Sequence, residues 1–188
     1  MIREAVVNAL IHRDYDNTGQ KCQLVVNAHT ITIKSPGAPI PPITMEQMRS
    51  FSAPMKSRNP VLHYVFARMG LAEEQGFGLT SLKQHAEQLG LPLPSFRMEG
   101  DLLTLTIYRT QAGAVAALPP EVRLGLREEE TASWQFLCSR LSLRTPDLMN
   151  RMGFDERKAQ RVLKKFVEAG LLRRLGRGPV TYYEVVRP

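Results

Sequence analysis

The amino-acid sequence predicts an α+β protein with two domains, residues 1–109 and 128–188, joined by a linker over residues 110–127. Two periodicities carry this prediction. Apolar residues alternate along 103–107, as in a strand with one buried face, whereas along 159–167 they recur at the three- and four-residue spacing of a helix. The linker is rich in Ala, Gly and Pro. The first domain is therefore expected to be an antiparallel or mixed sheet covered by helices.

The first domain begins with a predicted helix over residues 2–13 and a hairpin of residues 21–27 and 30–34 that turns at 27–29. The proline-rich stretch 35–42 is expected to be irregular. Since a domain seldom starts inside a helix, we expect the chain to be a fragment that lacks its N-terminal part. Three aliphatic residues of the hairpin are expected to line the core: Val26, Ile31 and Ile33.

Thr44 followed by Gln47 is typical of a capping box and predicts a short helix. A polar loop over 50–59 precedes a helix that Pro60 opens and that ends near Met69. The residues of this helix that we expect to face inward are Val61, Leu62, Val65 and Phe66. The remaining elements are a glycine-bearing turn at 73–78, a helix over 79–89, and a last hairpin that turns at Gly100.

The second domain is predicted to begin with a helix whose first turn holds Glu128, Glu129 and Glu130, which suit the helix dipole. The inward face of this helix is expected to hold Trp134, Leu137 and Leu141. A short helix is expected from Thr145 to Gly153, and a second from Asp155 to Gly170, because these residues suit helix caps. A strand at 171–172, a turn at 176–179 and a second strand at 181–186 complete the domain.

The second of these two short helices has a basic face opposite its apolar one. Two short helices with a basic second member, followed by two strands, resemble a winged helix-turn-helix domain, which binds duplex DNA. Winged helices also serve in dimerisation or protein docking, so that alternative stays open. The cations expected to contact DNA are Arg157, Lys158, Arg161, Lys164 and Lys165 on the helix, and Arg173, Arg174 and Arg177 on the wing.

The positive charge is unevenly spread along the 188 residues, whose net charge is +7. Residues 1–110 hold 11 Lys or Arg and 9 Asp or Glu, whereas residues 111–188 hold 14 and 9. The basic excess therefore lies mostly in the second domain, as a nucleic-acid partner requires. The sequence has no apolar run long enough to span a bilayer, so we expect no membrane partner.

The two cysteines, Cys22 and Cys138, are far apart and form no CxxC motif. This spacing argues against a zinc site and a disulfide framework, and it favours a reducing, cytoplasmic environment. The N-terminus does not have the pattern of a signal peptide. The four histidines are scattered and do not pair at metal-ligand spacing: His12, His29, His63 and His85.

The string at residues 3–15, Arg-Glu-Ala-Val-Val-Asn-Ala-Leu-Ile-His-Arg-Asp-Tyr, is highly specific. Together with Ser35-Pro36-Gly37, Arg58-Asn59-Pro60 and the stretch 74–79, it resembles the C-terminal region of RecG-related ATP-dependent DNA helicases. The resemblance covers residues 1 to about 109. It implies a divergent GHKL-type ATPase fold, a role in transcriptional regulation and an AlbA-like domain upstream in a longer protein. A winged helix after this region is also common in that family.

The resemblance implies a nucleotide site, with ATP and magnesium as its ligands. Glu4 and Asn8 match the family's Glu-x-x-x-Asn pattern, in which glutamate activates water and asparagine holds magnesium. Gly76 and Gly78 resemble a phosphate-binding glycine box, and Gly37 resembles the glycine of an earlier box. Ser35 is a departure, because such ATPases have an aspartate there that receives the adenine amino group. This departure favours a degenerate scaffold over ATP turnover.

The sequence therefore predicts a DNA-binding transcription regulator that acts as a homodimer. The alternative is an ATP-binding or ATP-hydrolysing protein of DNA metabolism, in which Glu4 would be the catalytic residue and Asn8 the magnesium ligand. A third candidate is a protein-docking winged helix. A helicase motor is excluded by the sequence, which contains no Gly-x-x-x-x-Gly-Lys-Ser/Thr loop.

Overall fold

The computed structural model describes residues 2–72 and 78–186. Within them the chain divides into two compact units that are not consecutive in sequence. Unit 1 comprises Met1–Leu89 and Pro94–Arg109, and unit 2 comprises Gly90–Leu93 and Thr110–Pro188. The chain is an α+β protein, as the sequence predicts. No helix in the described residues is long and apolar enough to cross a membrane.

Unit 1 is a four-stranded antiparallel sheet of order β1-β2-β4-β3 with helices packed on it. Residues that face each other across β2 and β4, such as Ile33 and Leu105, point to the same side and form the buried face. Helix α1 packs over β2 on that face. The elements are α1 (Ile2–Ile11), β1 (Gln23–Val26), β2 (Thr30–Pro36), α2 (Met45–Arg49), α3 (Pro60–Arg68), α4 (Gly78–Gln88), β3 (Ser95–Glu99) and β4 (Leu102–Tyr108).

Unit 2 is a helical unit with a three-stranded antiparallel sheet of order β5-β7-β6. Its core centres on Trp134 and Phe166, whose ring centroids are 5.5 Å apart. The elements are α5 (Gln111–Ala116), α6 (Pro120–Leu124), α7 (Glu128–Cys138), β5 (Ser142–Leu143), α8 (Thr145–Met152), α9 (Glu156–Glu168), β6 (Leu172–Leu175), a 3-10 turn (Gly178–Val180) and β7 (Tyr182–Val185).

The prediction of a linker over residues 110–127 is corrected, because this segment is part of unit 2. It forms α5 and α6, and its Ala114 and Leu118 lie in the unit 2 core. The Trp134 indole donates a hydrogen bond to the Ala114 carbonyl oxygen at 3.1 Å. The small and proline-rich composition of this segment therefore permits close packing and short helices.

Three local predictions for unit 1 are also wrong. Val26 is 58% exposed rather than in the core, because β1 is an edge strand and α1 packs over β2. Ser35 and Pro36 belong to β2, where the proline occupies the last position of the strand and interrupts no further pairing. In α3, Val61 and Val65 are exposed, since the helical spacing of apolar residues does not reveal which face is covered.

Candidate functional site

A cavity of about 180 Å³ lies in unit 1, lined by α1, α4, both central strands and the loops that follow β2 and α2. Its wall is largely apolar, and its polar groups come mainly from α1 and the loops. The apolar part of the wall includes Ile33, Met48, Leu82, Phe96, Leu103 and Leu105. Polar and small residues from α1, α4 and the loops also line it, among them Glu4, Asn8 and Gly78.

Glu4 and Asn8 lie one turn apart on α1 and face the start of α4. A Cβ added at Gly78 would lie 3.0 Å from both Asn8 Nδ2 and Glu4 Oε1, so a larger residue would require these two side chains to shift. The Ser81 hydroxyl donates to Glu4 Oε2 at 3.4 Å. Glu4 Oε1 is buried and accepts no hydrogen bond from any part of the chain that the structure describes.

Gly37 follows β2 with a φ of +106°, a conformation that L residues with side chains rarely adopt. A Cβ at this position would come within 2.8 Å of Asp14 Cβ and 3.1 Å of Arg58 Nη2. The Gly37 amide donates to the Asp101 carbonyl oxygen at 2.8 Å. The glycine is therefore required by its backbone conformation and by its neighbours, and its amide already has an acceptor.

The cations of the cavity wall already donate to main-chain carbonyl oxygens. Arg58 Nε donates to His12 O at 3.1 Å and Arg58 Nη2 to Ala38 O at 2.5 Å. Lys56 Nζ donates to Pro41 O at 2.5 Å. These contacts hold the loops after β2 and α2 in place around the cavity.

His12 lies on the same wall and is neutral at physiological pH. Burial, and then the charges of His63 and Arg58, lower the pKa of His12 from 6.5 to about 4. The sequence gives no signal for this cluster, because Arg58 and His63 are far from His12 along the chain. The bond from Arg58 to His12 O and two bonds from Asn59, of 2.7 Å to Ile11 O and 2.8 Å to Arg13 O, bring them together.

Ser35 also lines the cavity and is buried. Its hydroxyl donates to the Ala9 carbonyl oxygen at 2.6 Å, and the Cys22 thiol lies 3.6 Å from the Ser35 oxygen. This hydrogen bond from the Ser35 hydroxyl thus joins β2 to α1. As an acceptor, Ser35 offers only a neutral oxygen, consistent with the departure that the sequence shows.

Four of the five residues predicted to form a nucleotide site line this one cavity: Glu4, Asn8, Gly37 and Gly78. The fifth, Gly76, lies outside the described residues. Among residues 2–72 and 78–186, no group of three or more His, Cys, Asp or Glu side chains is placed to hold a metal ion. The structure therefore brings the predicted residues together without providing a preformed metal centre in its described part.

The second candidate site is the exposed face of α9 in unit 2. The apolar face of this helix buries Ala159, Val162, Leu163 and Phe166. Arg157, Arg161 and Lys164 are exposed on the opposite side. Lys164 lies 3.7 Å from Glu168 one turn later, and the structure shows no ion pair for the two arginines within its described part. These three cations form what we call the α9 basic face.

Lys158 and Lys165, which were predicted to contact DNA, point instead toward α7. Lys158 Nζ lies 2.5 Å from Glu129 Oε2 and 4.4 Å from the centre of the Phe154 ring. Lys165 Nζ lies 2.6 Å from Glu130 Oε2 and 2.9 Å from the Gly125 carbonyl oxygen. The ion pairs of these two lysines therefore connect α9 to α7 within unit 2.

The turn between β6 and β7 carries the other predicted cations. Arg173 pairs with Glu184 on the adjacent strand at 2.7 Å, while Arg174 and Arg177 are exposed. Gly176 has a φ of +76°, and a Cβ there would collide with the Val180 carbonyl oxygen. The tight turn thus presents Arg177 at its tip, and Arg173 is held along the strand.

Residues 19–107 match the sequence model of a family described as "Putative ATP-dependent DNA helicase recG C-terminal". This stretch, which forms most of unit 1, is therefore similar to a RecG-related, ATPase-like domain. The match includes Gly37, Gly76 and Gly78, whereas Glu4 and Asn8 precede it. No curated protein matches the chain.

Among solved structures, the chain is similar to the DIP2311 protein from Corynebacterium diphtheriae, with a TM-score of 0.54 and 18% sequence identity. The similarity covers 98% of this chain and 49% of that protein, so the chain spans about half of its length. At this identity the likeness concerns the fold alone.

Proposed function

We propose that this chain is a cytoplasmic, DNA-binding transcription regulator in which unit 2 is a winged helix that binds duplex DNA. The observation that carries the proposal is the α9 basic face, which leaves Arg157, Arg161 and Lys164 exposed on a helix whose other side is buried. A helix of 13 residues fixed in this way can enter a major groove.

The order of elements supports the same proposal. In unit 2, α7 is followed by β5, α8, α9 and the β6–β7 hairpin, with Gly153 in a left-handed conformation between α8 and α9. The hairpin is the proposed wing, with Arg174 and Arg177 as its phosphate contacts. Single winged helices read few bases, so we propose that two copies bind two half-sites as a homodimer.

The experiment that tests this proposal compares two triple variants in duplex DNA titrations at two salt concentrations. Arg157→Ala/Arg161→Ala/Lys164→Ala removes the α9 basic face. Lys21→Ala/Lys83→Ala/Arg123→Ala removes the same number of cations elsewhere and serves as the matched control. If all three α9 cations contact phosphates, the slope of log K against log salt becomes shallower by about 2 to 3 in the first variant, because each contact contributes roughly 0.9.

An equal loss of DNA affinity in both triple variants would show that the chain attracts DNA only through its overall positive charge. Unchanged affinity and slope in the α9 variant would contradict DNA binding by this helix and would leave protein docking as the role of unit 2.

An ATP-binding protein of DNA metabolism is the second candidate, supported by the family match and by the shared cavity of Glu4, Asn8, Gly37 and Gly78. Two features of the described wall oppose it. The Ser35 hydroxyl donates to Ala9 and the Gly37 amide to Asp101. These two groups offer an adenine nucleotide neither a charged acceptor for its amino group nor a free amide for its phosphates.

A further inference from the structure

The cavity of unit 1 extends along α1, and its two ends differ in charge. One face of the helix and the residue that follows it line the cavity with Glu4, Ala5, Asn8, Ala9 and His12. Glu4 and His12 are eight positions apart, which separates them by roughly 12 Å along the helix axis. Arg58 Nε donates to His12 O, so the Arg58 guanidinium lies at the end of the cavity opposite Glu4.

The Arg58 guanidinium borders the cavity and keeps N–H groups that a ligand can use. Besides His12 O, it donates from Nη2 to Ala38 O, and a Cβ at Gly37 would lie 3.1 Å from the same nitrogen. His12, Gly37 and Ala38 all line the cavity. A guanidinium has more N–H groups than these two bonds use. Asp14 Oδ2 lies 3.8 Å from Nη1, too far for a hydrogen bond, so Nη1 donates to no acceptor within the described chain.

The remainder of the wall is largely apolar and holds a second cation. Ile33 and Leu105 from the central strands and Leu82 from α4 contribute buried aliphatic side chains. Lys56 is exposed, and its ammonium group uses one N–H for the Pro41 carbonyl oxygen. A ligand that fits this wall has an apolar body and an anionic end. A carboxylate matches a guanidinium particularly well, because it accepts charge-assisted hydrogen bonds from the planar N–H groups.

We propose that this cavity binds a small, mostly apolar carboxylic acid, whose carboxylate accepts hydrogen bonds from Arg58 while its apolar body lies along α1 in the direction of Glu4. The Glu4 carboxylate at the other end repels a second negative charge, so the ligand carries a single one. This inference concerns unit 1 and does not depend on DNA binding by unit 2.

The test uses octanoate and 4-phenylbutyrate as probes, and binding to the full chain is measured by calorimetry at neutral pH. Octanamide and 4-phenylbutanamide replace the carboxylate by a neutral group of similar shape. Suberate and 4-(3-carboxypropyl)benzoate add a second carboxylate at the far end of each probe. The expected result is that at least one of the acids binds, and that its amide and its diacid bind about tenfold more weakly or worse. Inorganic phosphate and magnesium-ATP at the concentration of the acid should not displace it.

Arg58→Gln removes the proposed partner of the carboxylate, so the affinity for the acid should fall about tenfold or more. Arg13→Gln is the matched control and should change this affinity by less than about threefold. Arg13 also donates to two carbonyl oxygens near the end of α1, but it is not among the described residues that line the cavity. Ala53→Trp, in a loop that lines the cavity, should abolish binding by filling the space, and it serves as a second variant if Arg58→Gln fails to fold.

The proposal is overturned if neither acid binds at millimolar concentration, if the amides or the diacids bind as tightly as the acids, or if Arg58→Gln binds the acid unchanged. Displacement of the acid by inorganic phosphate or by magnesium-ATP would equally overturn it, because a general anion site or a nucleotide site would then explain the cations. DNA affinity is measured in the same samples. Intact, α9-dependent DNA binding without acid binding would remove only this inference, whereas acid binding without DNA binding would remove only the proposed function.

Discussion

Glu130 lies in the first turn of α7 with 8% of its surface exposed, and its environment explains the orientation of Lys165. Burial by itself would raise the pKa of the Glu130 carboxyl, but hydrogen bonds from the Arg127 amide and from Lys165 outweigh it and hold the pKa below its ordinary value. The sequence places Lys165 at the edge of the basic face. The packing of α7 against α9, which periodicity does not reveal, turns it inward.

His12 provides a pH-dependent prediction for unit 1. Its pKa is about 4 in the folded chain and 6.5 ordinarily, so the unfolded chain binds a proton that the folded chain excludes. The folded chain therefore keeps its full stability above pH 6.5, where His12 is neutral in both states, and loses stability as the pH falls toward 4. We expect the free energy of unfolding of unit 1 to fall by up to about 3 kcal/mol across this window, at 1.36 kcal/mol per pKa unit.

Urea unfolding of His12→Gln at pH 7 and at pH 4.5 measures this effect, with the exposed His85→Gln as the matched control. The pH dependence should be weaker in His12→Gln and unchanged in His85→Gln. An equal dependence in His12→Gln and in the unmodified chain would show that other groups cause the acid sensitivity.

At the scale of single elements, most helix caps predicted from sequence are confirmed, whereas Thr145 is wrong, because Arg144 is the N-cap of α8 and its amide donates to Asp147. Thr44 forms a capping box with Gln47, Asp155 accepts from the Lys158 amide at 2.7 Å, and Gly153 and Gly170 both adopt positive φ. Caps are local, since their hydrogen bonds join residues two to four positions apart. The strand β5 was missed because two residues are too short to show an alternating pattern.

The Asp155 cap should contribute measurably to the stability of α9. Asp155→Ala removes the acceptor of the Lys158 amide, and we expect unit 2 to lose about 1 kcal/mol of its free energy of unfolding. Gln160→Ala, which removes an exposed side-chain bond to Glu156 within the same helix, is the control and should cost less than about 0.5 kcal/mol. Denaturant unfolding monitored by Trp134 fluorescence measures both variants.

If Asp155→Ala and Gln160→Ala lose the same free energy, the cap does not stabilise α9 in the folded chain. A loss in DNA affinity that exceeds the loss in stability would instead mean that the start of α9 contacts the duplex.

For the whole molecule, the division of the chain into two units is the feature that the sequence predicts least well. The composition of residues 110–127 indicates a linker, yet Ala114 and Leu118 are core residues of unit 2. The short segment Gly90–Leu93 also belongs to unit 2, although it lies between α4 and β3 of unit 1. Its assignment depends on contacts with residues far along the chain, including a bond from the Leu93 amide to Cys138 O at 2.9 Å. No local pattern encodes such a contact.

Leu93 should therefore stabilise unit 2, despite its position within the sequence of unit 1. Its surface is 0% exposed, and we expect Leu93→Ala to cost about 2 to 5 kcal/mol. Hydrogen exchange followed by mass spectrometry should show the loss of protection in α7. Leu89→Ala, at a leucine 64% exposed just before the segment, is the matched control and should leave α7 protected.

If Leu93→Ala loses protection from hydrogen exchange only in β3 and β4, Leu93 belongs to unit 1, which would contradict the division into the two units. Equal effects of the Leu93 and Leu89 variants would show that burial of Leu93 does not stabilise α7.

The interleaved units have a consequence for folding on the ribosome. The last strand of unit 1 ends at Tyr108, so its sheet can close early, while Leu93 must wait for Cys138 to emerge about 45 residues later. At the usual rate of translation this delay lasts roughly 2 to 9 s. During that interval a nascent chain can hold a formed first unit while the Leu93 amide lacks the Cys138 carbonyl oxygen to which it donates in the folded chain.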